Sequence, residues 1–152
     1  MLQIADLVAY DAEGQITLVA EIKNRAGTSR AWATQMRRNL LAHGVMPHSR
    51  FFLLALPDRF YLWRDAGNAP EPVEPSYELD ATPFLQPYYE EAQLSPDNVS
   101  GLSFELIVTS WLNELIWSGV PASVPEAQRK LLEDSGLLKA LEGGSVTTAV
   151  RV

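Results

Sequence analysis

The chain predicts a mixed α/β fold with the sheet first and helices after it, and three observations carry that expectation. Two apolar, β-branched runs open the sequence, Ile4 to Tyr10 and Ile16 to Lys23, joined by the short Gly-containing connection Asp11 to Gln15, which is the pattern of a β-hairpin. A helix-period segment and then a continuous apolar run, Arg50 to Leu56, come next. Beyond a proline-rich stretch, the remaining apolar residues recur at helical spacing.

Each element has its own justification. Side chains alternate along a strand, so Glu21 and Lys23 share one face of the second strand while Ile22 takes the other. The loop Asn24 to Gly27 leads to Thr28 and Ser29, either of which can cap a helix by accepting a bond from an orphan backbone N–H. That helix is expected to run to about His43 and stop at Gly44. Trp32, Met36, Leu40 and His43 form the stripe expected against the sheet. Gln35 and Asn39 border it, Arg30 and Arg37 fall beyond one edge, and Arg38 beyond the other. Arg50 to Leu56 reads as a strand covered on both faces. Pro57-Asp58 turns the chain into Arg59 to Trp63, with Phe60 and Leu62 on one side and Tyr61 and Trp63 on the other. The first 64 residues therefore give strand, strand, helix, strand, strand.

Residues 66–83, with Pro70, Pro72 and Pro75 close together, have the composition of a linker. They divide an α/β core, residues 1–65, from a mainly helical C-terminal lobe, residues 84–152. Within that lobe a short helix is expected from Pro83 to about Gln93 and a stronger one from Ser103 to Ser118. The apolar surface of the second wraps more than one side, as in a helix that is central to a lobe or contacts a partner. Glu126 to Asp134 and a turn of helix through Leu141 follow. The alternating tail Ser145 to Val152 can add a strand to this sheet or to a neighbour's.

A hydrophobic content of 47% with four tryptophans is that of a folded chain. The absence of cysteine excludes disulfides and thiolate metal sites. No leader-like N-terminal segment or membrane-spanning apolar stretch is evident, so a cytoplasmic protein is expected. His43 and His48 lack metal-ligand spacing. The net charge of −7 at first opposes a nucleic-acid partner. Its distribution does not: residues 1–65 hold eight basic against six acidic side chains, while residues 66–152 hold four against thirteen. Lys23, Arg25, Arg30, Arg37 and Arg38 cluster after the second strand, and phosphate contacts need such a local field.

Asp6 at the start of one strand, a hairpin, and Glu21-Ile22-Lys23 at the end of the next resemble the PD-(D/E)XK nuclease superfamily, over roughly residues 4–64. Where that pattern usually carries Pro before the acid, Ala5 stands here. The resemblance implies a restriction-endonuclease-like mixed sheet and an Mg²⁺- or Mn²⁺-dependent endonuclease. In that reading Asp6 and Glu21 ligate the cation, the backbone carbonyl of Ile22 adds a ligand, and Lys23 orients or helps deprotonate the attacking water. It also implies an auxiliary contact from Gln35. The helix and strand that precede the motif in that family would come from upstream residues, another segment or a partner subunit. Arg25, Arg30 and Arg38 are the candidates for contacts to nucleic acid, DNA in the first instance. The competing reading is a nuclease-like scaffold without catalysis, or an interaction module working through an oligomer or partner at the apolar helix 103–118.

Overall fold

The structure, a computed structural model, describes residues 5–148. The order is β1 (Leu7–Tyr10), β2 (Ile16–Ile22), α1 (Arg30–Ala42), β3 (Phe51–Ala55), β4 (Arg59–Arg64), β5 (Tyr77–Asp80), α2 (Thr82–Ala92), α3 (Gly101–Ser118), α4 (Glu126–Ser135), α5 (Leu137–Leu141) and β6 (Ser145–Thr148). The strands form one mixed sheet in the order β5-β4-β3-β2-β1-β6. β2 and β3 are parallel, and the other pairs are antiparallel.

Local chemistry explains the first elements. The β1–β2 turn closes because Asp11 Oδ1 accepts the N–H groups of Glu13 and Gln15 at 3.0 and 2.9 Å, the habit of an acidic turn residue. Gly14 supplies the positive φ of 80° that the turn requires. Ser29 caps α1, its Oγ accepting from Trp32 N–H at 3.1 Å. The helix ends at Ala42, one residue short of the expected His43.

Two apolar layers sandwich the sheet. Val8, Val19, Phe52, Leu54, Tyr61 and Trp63 meet α1 on one face. Leu7, Leu18, Ala20, Leu53, Phe60 and Leu62 meet α2–α5 on the other. There Phe60 stacks on Trp111 with ring centroids 4.7 Å apart, and Phe84 closes the group.

Three expectations are corrected. Residues 66–83 are not linker throughout, because Tyr77–Asp80 within them is β5, paired antiparallel with β4. Its four residues give too short an alternation to stand out among prolines, and Pro75 lies ahead of this edge strand, where proline is tolerated. Second, the helices after residue 82 share one core with the strands and so form a layer on the sheet, not a separate lobe.

The third correction concerns α1, which is rotated by about a third of a turn from the expected stripe. Ala33, Thr34, Arg37 and Leu41 are buried, while Trp32, Met36 and Leu40 are only partly so and His43 is exposed. Arg37, expected outside, is 2% exposed. Its guanidinium lies 5.6 Å from the ring centroids of both Phe52 and Trp63 and donates to Gly67 O at 2.7 Å. A long apolar stem and a planar cation can cover aromatic rings as an aliphatic residue would.

The tail adds its strand to this sheet, β6 pairing with β1; the expected residues beyond Thr148, like Ile4, lie outside the described residues. Gly144 permits that pairing, since a Cβ there would collide with the Tyr10 carbonyl oxygen. No helix among the described residues is long and apolar enough to cross a membrane.

Candidate functional site

β2, α1 and β3 form a βαβ unit, so the C-terminal ends of two parallel strands and the N-terminus of α1 gather at one end of the sheet. In open α/β sheets this is where ligands bind. Glu21 and Lys23 lie at that end of β2.

Strand register places Glu21 in a row that crosses the sheet: Glu21 opposes Leu54, Leu54 opposes Tyr61, and Tyr61 opposes Glu78. Val19, Leu54 and Tyr61 all pack under α1, so alternation turns Glu21 toward the same side. It is 2% exposed, and a carboxylate taken so far from water is costly unless its charge is compensated.

Asp6 directly precedes β1. Its backbone N–H donates to Ala20 O at 3.1 Å, and its Oδ2 accepts Ile22 N–H at 2.8 Å. The side chain thereby takes a ladder position at the end of the hairpin, which brings its carboxylate beside the residue that follows Glu21. Asp6 and Glu21 thereby lie at the same end of the β1–β2 pair. The N–H and C=O of a strand residue leave the chain on the same side, so the Ile22 carbonyl is also directed toward β1. Lys23 is half-buried, and its N–H extends the parallel ladder to Ala55 O at 3.1 Å.

The loop after Lys23 is clamped at three points. Asn24 Nδ2 donates to Val99 O at 2.8 Å, Gly27 N–H donates to Asp58 Oδ2 at 3.0 Å, and Thr28 Oγ1 lies 3.2 Å from the Tyr61 hydroxyl. The β3–β4 turn that carries Asp58 is held in its turn by Tyr89, whose O–H donates to Pro57 O at 2.9 Å. Burial, and secondarily the negative charge of Asp58, push the Tyr89 phenol above its ordinary pKa. Asn24, Asp58 and Tyr61 had no signal as site residues in the sequence, because their role depends on contacts between distant segments.

The remaining candidates are spread more widely. Arg25 is exposed and lies 5.4 Å from the Trp32 ring centroid, which fixes it near the start of α1. Arg30 pairs with Glu78 at 3.7 Å, a carboxylate that Arg59 also approaches at 3.5 Å. Arg38 donates to Asn39 Oδ1 at 3.2 Å, two turns along the helix from its N-terminus. Gln35 is exposed, almost opposite the buried Arg37 on the helical wheel. Gln35 thus lies on the side of α1 turned away from the sheet.

Among the described residues no group of three or more His, Cys, Asp and Glu is placed to hold a metal ion. The donors near this end of the β1–β2 pair are the carboxylates of Asp6 and Glu21 and the Ile22 carbonyl. That set fits Mg²⁺ or Mn²⁺, hard cations that take one or two carboxylates and fill their remaining positions with water and substrate phosphate. No protein-family model, curated protein or solved structure gives a significant match to the chain.

Proposed function

We propose that the chain is a divalent-metal-dependent endonuclease of the PD-(D/E)XK type acting on DNA, with a restriction-endonuclease-like core. The observation that supports this reading is the 2.8 Å bond from Ile22 N–H to Asp6, which sets the Asp6 carboxylate beside the residue between Glu21 and Lys23. Asp6, Glu21 and the Ile22 carbonyl would hold Mg²⁺ or Mn²⁺. When bound, the cation supplies charge stabilisation at the phosphoryl group and lowers the pKa of coordinated water.

The protein's own groups do the rest. The Lys23 ammonium orients the attacking water and stabilises negative charge as it develops on the phosphate. The N-terminal end of α1 offers backbone N–H groups and a partial positive charge to a phosphate oxygen. Arg25 extends that field outward. Arg30 and Arg38 are farther contacts to the nucleic-acid backbone, Arg30 by exchanging Glu78 for phosphate. Burial of Glu21 beneath α1 keeps its carboxylate oriented without solvent competition.

The test pairs titration of Mn²⁺ with nicking of supercoiled plasmid, using wild type and the Asp6→Ala/Glu21→Ala double variant. Binding and nicking that disappear together support the site. An intact plasmid and identical weak heats for both proteins would reject it. The second reading, an interaction module, is favoured by exposed Leu102, Leu106 and Trp117 on α3.

A further inference from the structure

On the opposite side of the sheet from the carboxylates, α3 turns one apolar side outward. Leu102, Leu106 and Trp117 are 72%, 62% and 86% exposed. Their separations of four and eleven residues put them on a single stripe with Asn113. Leu106 borders a shallow groove of about 360 Å³ between α2 and α3, lined also by Tyr88, Glu91, Ala92, Ile107 and Ser110. Single exposed apolar residues need no explanation, but a tryptophan and two leucines along one helix side mark an interaction surface.

The charge around the stripe says what fits it. No lysine, arginine or histidine occurs between Arg64 and Arg129, while that interval holds eleven acidic residues, so α2 and α3 carry only negative charge. Glu91 lines the groove with Glu90 next to it in α2, Glu105 lies on the other shoulder of the exposed stripe of α3, and Glu114 interacts with the Tyr88 hydroxyl. Lys139 lies with Glu142 in the hollow beside Trp117. A duplex, an anionic lipid surface and a second copy of the same face would all bring negative charge to this field. A cationic segment would not.

We propose that the α2–α3 face docks a basic amphipathic helix, whose apolar side covers Leu102, Leu106 and Trp117 and whose lysines or arginines meet Glu91, Glu105 and Glu114. Helix-in-groove recognition uses anchors at this spacing, and opposite charge speeds encounter and selects the partner. The surface is separate from the proposed metal site and stands whether or not that site cleaves DNA.

The probe is a labelled leucine–lysine peptide of about 18 residues, the length that matches α3, with a leucine–glutamate twin, followed by fluorescence anisotropy. The lysine peptide should bind at least about tenfold more tightly than its twin, with affinity falling as salt rises. Leu106→Asp and Trp117→Asp should each weaken it about tenfold, the size expected for an anchor residue. Both variants add negative charge, so a general attraction would tighten binding instead. Equal affinity for the two peptides, or unchanged or tighter binding by the variants, would overturn the proposal. So would self-association, or binding to phosphatidylserine vesicles, that Trp117→Asp abolishes.

Discussion

On the face covered by α2–α5 the sheet meets rings and aliphatic chains, with Phe60, Phe84 and Trp111 in mutual contact and Ser135 as its buried polar side chain among the described residues. The face under α1 is built otherwise: Glu21, Thr34 and Arg37 are buried there among the apolar residues. The first arrangement maximises apolar burial, the dominant favourable term in folding. The second accepts charge in its interior, and it is the one that carries the candidate site. The contrast sets a largely apolar face against one that also buries charge.

The largest effect should come from the apolar face. Trp111→Ala should cost about 3–5 kcal/mol in denaturant unfolding, as expected for a large buried aromatic. Trp111→Phe should cost less than about 1.5 kcal/mol, because it also removes an indole N–H that has no partner among the described residues. A full cost for Trp111→Phe would mean that the indole, and not ring packing, matters at this position.

Next comes the charged face. Glu21→Ala should reduce Mn²⁺-dependent plasmid nicking by about a hundredfold or more, the usual loss for a group that stabilises transition-state charge. Circular dichroism should confirm an intact fold. Unchanged nicking would remove Glu21 from the chemistry and leave the two faces distinguished by packing alone.

A smaller effect, dependent on pH, should come from Tyr89, which braces the Pro57-Asp58 turn. Its raised pKa in the folded protein means that its contribution is fully present below the ordinary phenol value of 10.0 and is lost as pH climbs above that value. Tyr89→Phe should cost about 1 kcal/mol at neutral pH and flatten the alkaline fall in stability. An unaltered alkaline profile would assign that fall to other groups.

The smallest change is expected at Arg37. Burial lowers the pKa of its guanidinium, and among the described residues Nε and Nη1 have no partner. Replacing such a cation by an apolar side chain of similar length should be close to neutral, so Arg37→Met should hold stability within about 1 kcal/mol or raise it. A loss of about 3 kcal/mol or more would show that the Gly67 bond and the stacking on Phe52 and Trp63 outweigh the cost of desolvation.

Much of the architecture was legible because it depends on neighbours in sequence. Thr28 and Ser29 announced the start of α1, of which Ser29 is the cap, and the alternation of Phe60 and Leu62 against Tyr61 and Trp63 named the two faces correctly. The rotation of α1 was not legible. Small residues Ala33 and Thr34, with the stem of Arg37, make its contact, and hydrophobic periodicity gives such residues little weight. β5 was hidden by flanking prolines, and the placement of β6 beside β1 is a long-range choice. At the site, Asp6, Glu21 and Lys23 stood out as a spacing. The brace from Asp58 and Tyr61 requires two strands brought together by the fold.

The position of β1 between β2 and β6 sets an order of events for folding. The hairpin of β1 and β2 closes over a few residues, but the second neighbour of β1 begins at Ser145, so its arrival closes a very long loop late in synthesis. Until then β1, the strand that presents Asp6, is a bare edge able to pair with another chain. Such distant pairings are slow to form. A nascent chain that pauses before β6 would expose the edge of β1 that faces away from β2, making β6 the molecule's own guard against misassociation.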